Sequence, residues 1–260
     1  MGKIKNQIVM KTFVVVLVAF FALTSCNIMK KIAGSKDERA VDLSDKKEEV
    51  KKEESKEDKK DDVKKDEGTN EIVMKDFDRK DIPSDVKFQG KITGGKRWSD
   101  KNGDNIILLT VTDEHKSSKK DIDGIYMNSK ELYAYHYVNK TGYWSQLWKV
   151  NDFVNDCDAD LTLKHINNSL SVTDLNNNGI GESIFLYCLS CRSDVSPAGL
   201  KLIMHEGDTK YALRGSMRLF VDGGWQGGEF SIDKSFDDAP DGFLNYAKDQ
   251  WKKFREEKLN

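Results

Sequence analysis

Few of the motifs that mark familiar enzyme classes occur in this chain. There is no G-x-S-x-G, no P-loop and no dinucleotide-binding glycine fingerprint, which sets aside the reaction classes built on those motifs. Histidine is sparse: His115, His136, His165 and His205 are scattered among strand-like segments without H-E-x-x-H or any paired spacing. Each is expected to be a half-exposed strand residue. Cysteine is limited to Cys26, Cys157, Cys188 and Cys191, and no fourth ligand with zinc-site spacing accompanies the last three. The formal net charge is only -2, so no excess of one sign points to nucleic acid or to an acidic polymer. Carboxylates are plentiful, and a glycosidase-like pair stays open without any residue being singled out.

The N-terminus carries the most informative segment. Lys3, Lys5 and Lys11 precede an unbroken apolar run from Phe13 to Leu23. A run of about eleven residues is short of the roughly twenty a membrane-spanning helix needs, but it suits a secretory segment. It closes on Leu23-Thr24-Ser25-Cys26, which resembles the bacterial lipobox. That resemblance implies removal of residues 1–25, fatty acylation (palmitate) at Cys26 and a mature chain tethered to a membrane outside the cytoplasm. Residue 27 is Asn, not the Asp that marks inner-membrane retention in enteric bacteria, so an outer-membrane lipid anchor facing the periplasm or the cell surface is expected.

From Lys36 to Glu67 nearly every residue is Lys, Asp or Glu, with no Gly, Pro or aromatic residue. Such a stretch cannot bury enough apolar surface to offset its ordering entropy. Spacings such as Glu48 with Lys52 allow a solvated helix supported by a few tenths of a kcal/mol per pair. Residues 26–75 therefore read as a lipidated, charged tether. Lys30 and Lys31 lie beside the anchor, where anionic headgroups would attract them by about 1 kcal/mol each.

The folded part is expected to begin near residue 76, with a β-rich domain over 76–238 and a C-terminal helix packing on it over 239–260. Lys87 to Lys96 and Asn105 to Asp113 read as strands around Asn102-Gly103, a dipeptide that accepts positive φ. Leu132 to Val138 pairs similarly with Tyr143 to Val150. Further strands are expected at Leu161–Ile166, Leu170–Thr173, Ser183–Leu189, Leu200–His205, Tyr211–Leu219 and Glu229–Ile232. Short, frequent strands parted by Asn, Asp and Gly imply an antiparallel sandwich or propeller-like sheet assembly. Phe243, Leu244, Ala247, Trp251 and Phe254 recur at helical steps, with Asp241 as the expected N-cap.

The clearest chemical signal is Asp174-Leu175-Asn176-Asn177-Asn178-Gly179-Ile180-Gly181-Glu182. Side-chain oxygens alternate at Asp174, Asn176, Asn178 and Glu182, the Ile180 carbonyl completes the pattern, and Gly179 allows the bend. A hard cation such as Ca²⁺ takes six to eight oxygens. An EF-hand is excluded, because Phe185 stands where that loop needs Glu and a strand follows. The stretch instead resembles the short calcium loops of integrin-type propeller repeats and dockerins, which implies a weak structural Ca²⁺ site. The competing reading is a plain Asn/Gly turn. Asp100-Lys101-Asn102-Gly103-Asp104 has its Gly one place early and reads as a turn.

Cys188-Leu-Ser-Cys191 has redox-motif spacing but ends an apolar strand run, away from any helix N-terminus that would stabilise a thiolate. Outside the cytoplasm one disulfide among three thiols is expected. Cys157–Cys191 is preferred, with Cys157–Cys188 as competitor; closing a loop of this size contributes about 3–4 kcal/mol in the chain-entropy model.

Trp98 to Gly103, Asp174 to Tyr187, Ser190-Cys191-Arg192-Ser193-Asp194-Val195-Ser196-Pro197, Lys201 to Met204 and Tyr211 to Gly215 together resemble a Bacteroidota lipoprotein family assigned to surface polysaccharide biosynthesis. The family position matching Cys188 is not usually Cys, which implies Cys191 as the bridging thiol. No catalytic residue is implied. Arg192 and Asp194 suggest a polar binding corner or, more simply, a salt bridge bracing the turn before Pro197. The expectation is a non-enzymatic accessory or binding module in surface-polysaccharide assembly, its partners the membrane through Cys26 and the polysaccharide or its assembly machinery, with no nucleic acid. Tyr133, Tyr135, Tyr137, Tyr143, Trp144 and Trp148 are read either as a sugar-stacking face or as core. The alternative function is a glycan-processing envelope enzyme with an unidentified carboxylate pair.

Overall fold

Ile106-Ile107-Leu108-Leu109 is apolar on both side-chain parities, a pattern that suits a strand covered on both faces, and all four are buried. The computed structural model describes residues 71–258; the expected signal segment, Cys26 and the charged run to Glu67 lie outside the described residues. In chain order the strands are β1 (Val73–Lys75), β2 (Lys91–Asp100), β3 (Gly103–Val111), β4 (His115–Lys120), β5 (Tyr126–Asn139), β6 (Trp144–Cys157) and β7 (Asp160–His165). They continue as β8 (Ser171–Thr173), β9 (Glu182–Arg192), β10 (Gly199–Glu206), β11 (Thr209–Ser216), β12 (Arg218–Val221), β13 (Gly224–Gly227) and β14 (Phe230–Ile232), before helix α1 (Phe243–Phe254).

These strands form two six-stranded antiparallel sheets and a two-stranded ribbon. The first sheet runs β1-β2-β3-β5-β4, with β6 also paired to β5. The second runs β14-β11-β10-β9-β7, with β8 also paired to β9; β12 and β13 stand apart. The first sheet contributes Trp98, Ile107, Leu109, Leu132, Ala134, Trp148 and Val150 to a shared core, and the second contributes Leu163, Phe185, Tyr187, Ile203 and Ala212. The architecture is therefore a mainly β sandwich with one C-terminal helix.

Period-2 alternation turns the remaining apolar residues to the outer faces. On the second sheet Ile184, Leu186, Cys188, Leu200, Leu202, Met204 and Leu213 meet Phe243, Ala247 and Trp251 of α1. These three helix positions repeat every four residues and so share one face. On the first sheet Ile106, Leu108, Tyr135, Tyr137 and Trp144 are covered by Phe77, Ile82 and Val86. Phe77 lies so close over Gly95 that a Cβ there would fall 2.3 Å from its ring. The Cys157–Cys191 disulfide, with Cα atoms 5.6 Å apart, ties the first sheet to the second.

Several expectations change in detail. The first hairpin turns one residue earlier than expected, at Lys101-Asn102, with Gly103 at φ 114° opening β3 opposite Asp100, and β2 starts at Lys91, not Lys87. Strand β1 pairs with β2 through Val73↔Ser99, ahead of the boundary expected at residue 76. The single strand expected from Tyr211 to Leu219 is two: at Met217 the backbone N–H donates to the Ala198 carbonyl, and β12 leaves the sheet. Helix α1 starts from Gly242 at φ 89° with no side-chain cap, so Asp241 is not the N-cap. Three of the four histidines, His136, His165 and His205, are buried, which corrects their expected half-exposure. They lie on the inward parity of β5, β7 and β10, where Trp148 stacks on His205 at 4.0 Å and 12°.

Candidate functional site

The Asn-rich loop joins β8 to β9, and its backbone is shaped by its own side-chain oxygens. Asp174 accepts the Asn178 N–H at Oδ1 (3.0 Å) and the Gly179 N–H at Oδ2 (3.0 Å). Asn176 Oδ1 accepts the Asn178 N–H (3.1 Å), and Asn178 Oδ1 accepts the Ile180 N–H (2.8 Å). Asn177 and Gly179 take the positive φ values, 55° and 75°, that the coil demands.

Glu182 opens β9 beneath the loop and is 1 % exposed. Its carboxyl accepts the Thr173 hydroxyl (2.9 Å) and the Leu175 N–H (3.0 Å). Burial, with lesser help from nearby Glu206 and Asp174, raises its pKa to about 7 against the opposing hydrogen bonds. Glu206 is the direct cross-strand partner of Glu182, and like charges facing each other on a sheet repel. Glu206 Oε1 is satisfied by the Asn176 and Asn178 amides at 2.7 and 2.6 Å.

The β2–β3 turn clasps the loop from the other sheet. Asp100 Oδ2 accepts both the Gly181 N–H (3.0 Å) and the Trp98 indole N–H (2.9 Å). Lys101 donates its backbone N–H to the Gly179 carbonyl (2.9 Å) and its ammonium to the Asn178 carbonyl. A Cβ at Gly181 would sit 2.6 Å from the Trp98 indole nitrogen. The two Asp/Asn segments noted in the sequence, 100–104 and 174–182, thus meet in space. Asp100, Lys101 and Glu206 were not legible as partners, because strand register brings Glu206 to the loop and sheet packing brings Asp100 and Lys101.

What this arrangement can hold follows from its donor set. Each oxygen of Asp174, and each amide oxygen of Asn176 and Asn178, accepts one loop N–H from Asn178, Gly179 or Ile180 and keeps a second lone pair. Glu182, expected as a further ligand, turns both its oxygens to Thr173 and Leu175. Among the described residues no three carboxylate, imidazole or thiolate groups are gathered as a metal centre. A cation here would lean on amide and backbone oxygens, a set that suits hard Ca²⁺ and no softer metal.

The other candidate residues separate. Arg192 is held by Glu257 in a two-pronged pair, Nη1–Oε2 at 3.3 Å and a shorter Nη2–Oε1 contact. Asp194 instead accepts the Ser196 N–H and hydroxyl at 3.2 and 2.7 Å. The expected Arg192–Asp194 brace does not form, because the last described residues fold back to supply the partner. Cys188 and Cys191 sit three residues apart on one strand and so point to opposite faces. Cys191 is bonded to Cys157, while the buried Cys188 stays free and burial pushes its thiol pKa up.

Of the six aromatic residues singled out, Tyr135, Tyr137, Trp144 and Trp148 are buried core, Tyr133 is half-buried and Tyr143 is open, at 66 % exposure. Tyr135 and Tyr137 are pinned by Gln89 and Lys87 of the covering segment. A sugar-stacking face at that place is excluded by the segment lying on it. No family model matches this chain, and no similar curated protein or solved structure was found.

Proposed function

We propose that this protein is a lipid-anchored envelope module, tethered at Cys26, that serves surface-polysaccharide assembly or display by binding and not by catalysis. The observation that carries the location is the Cys157–Cys191 bridge joining the two sheets, since such bonds persist in oxidising, extracytoplasmic compartments. The outer-membrane assignment rests on Cys26 and Asn27, and the polysaccharide role on the sequence resemblance. The Asn-rich loop serves this module as a structural Ca²⁺ site, its ligands Asp174, Asn176, Asn178, Ile180 and Glu182.

A second reading, a glycan-processing enzyme, draws on one observation: Glu182, with its pKa raised to about 7, faces Glu206. Two facing carboxyl groups are the machinery of glycoside hydrolysis. Glu182, however, is enclosed, and both its oxygens are turned to Thr173 and Leu175. That carboxyl is placed to hold the loop.

Deletion of the gene, followed by analysis of surface glycan, tests the proposal. Shortened or missing polysaccharide, restored by the wild type and not by Cys26→Ala, is the expected result; unchanged glycan would overturn it.

A further inference from the structure

The β12–β13 ribbon is built with one anchored face and one bare face. Leu219, 1 % exposed, buries the inner face. The base is fixed where the Arg218 N–H donates to the Arg255 carbonyl (2.6 Å) and the Glu257 N–H to the Arg218 carbonyl (2.8 Å). Phe220 and Trp225 are direct cross-strand partners on the outer face. Their ring centroids are 5.3 Å apart at 69°, and they are 54 % and 50 % exposed. Paired large rings left open at one spot differ from the scattered apolar residues normal on a surface.

The chain around Trp225 is cleared of side chains. Gly223 and Gly224 precede it, Gly227 and Gly228 follow one residue later, and a Cβ placed on Gly223 or Gly224 would meet nothing within 4 Å. Open space therefore borders the Gly223-Gly224 side of Trp225, which is itself half exposed. Arg218 shares this face, its guanidinium carbon 4.3 Å from the Trp225 ring centroid. Its stem crosses Gly228, where a Cβ would come within 3.0 Å of the Arg218 Cβ. Among the described residues that guanidinium makes no hydrogen bond or ion pair beyond its ring contact. Five donors in a fork that matches a carboxylate are left without an acceptor.

We propose that the outer face of the β12–β13 ribbon binds an acidic sugar: a uronate-type ring packs its C–H face on Trp225 and Phe220 while its carboxylate pairs with Arg218. This rests on the polysaccharide reading above and gives it a site and a ligand class. A pyranose presents an apolar C–H face and a hydroxyl edge, so it can cover an open ring while its edge stays in water. The unpaired guanidinium selects the acidic sugar over the neutral one. A membrane contact fits less well, because Asp222 stands exposed at the tip between the two aromatic strands.

The test is affinity electrophoresis of the full chain, solubilised in mild detergent, through gels containing polygalacturonate or dextran, with flotation on phosphatidylglycerol vesicles in parallel. Retardation by polygalacturonate and not by dextran is expected. Trp225→Ala and Arg218→Gln should each weaken it at least tenfold, while Lys91→Gln, remote on β2, leaves it unchanged. Phe220→Ala provides a second aromatic variant, and equal melting temperatures certify that each variant folds. Retardation that survives Trp225→Ala, Phe220→Ala and Arg218→Gln would overturn this site while leaving polysaccharide binding intact. Wild type retarded by neither polymer would overturn the sugar assignment, whether or not it floats with vesicles; the deletion phenotype judges the wider role separately.

Discussion

At Glu182, burial and two neighbouring carboxylates act in the same direction, lifting the pKa from 4.5 to about 7. A carboxyl protonated in the fold and ionised in the unfolded chain contributes stability that is full below about pH 4.5 and lost as pH rises through 7. Glu182→Gln keeps the hydrogen-bonding shape without the proton. In calcium-free buffer it should melt near the wild type at pH 5 and a few degrees above it at pH 8, by calorimetry. A cation reverses this logic, because the ligand must be ionised. Millimolar Ca²⁺ should raise the wild-type melting temperature by several degrees at pH 8 and far less at pH 5, with the shift absent in Asp174→Ala. An unchanged melting temperature at pH 8 would make the loop a turn and nothing more. The neighbouring glycine gives a simpler test: Gly181→Ala drives a methyl toward the Trp98 indole and should cost about 1–3 kcal/mol in denaturant unfolding.

Legibility at the level of elements followed the strength of the local pattern. The β3 strand, the presence of a hairpin beside Gly103 and the α1 face of Phe243, Ala247 and Trp251 were readable, because burial and positive φ leave direct marks on residue type, although the turn itself falls one residue early, at Lys101-Asn102. His115–Lys120 was not, since β4 is a polar edge strand with mostly exposed side chains. Gly224–Gly227 was not either: β13 is held by register with β12, and its glycines argue against a strand. In the site, Asp174 to Glu182 was readable as a coil of alternating oxygens, whereas Glu206 and Asp100 reach it only through pairing across β9–β10 and through sheet packing. Tyr135 and Tyr137 read as a binding face or, as alternating aromatics on a hairpin more often are, as core, and a covering segment with few apolar residues, Phe77, Ile82 and Val86, makes them core. The bridge between β6 and β9 acts at this scale too. The Cys157→Ala/Cys191→Ala double variant should lose about 3–4 kcal/mol in the chain-entropy model, measured in guanidinium as a lower midpoint with a steeper slope, because the released unfolded chain exposes more surface.

For the whole molecule, the space between the sheets contains imidazoles that must stay neutral. Burial lowers His136 and His165 to about 4 and His205 to about 3, against the ordinary 6.5. Each has a buried Nδ1 without a partner. The unfolded chain binds these three protons at higher pH than the fold does, so stability is full above about pH 6.5 and falls as pH drops toward 4. Glu182 opposes this with one proton, leaving a net loss. The guanidinium midpoint should therefore decline steadily from pH 6.5 to 4. His205→Phe, which can still stack on Trp148, should flatten that decline by about one proton without costing stability at pH 7. The unpaired Cys188 has a consequence for how the molecule is made. In the nascent chain, closing Cys157 onto Cys188 or onto Cys191 differs by three residues of loop, worth about 0.1 kcal/mol, so oxidation barely discriminates between them. Only the folded strand does: Cys188 faces α1, and using it as the partner would demand an odd-numbered slip that turns β9 inside out. Early oxidation therefore samples both pairings, and exchange through the spare thiol must correct the wrong one. When α1 closes over Cys188, the reagent for that exchange is buried with its thiolate disfavoured. The finished protein is sealed against reshuffling by the closure of its own helix.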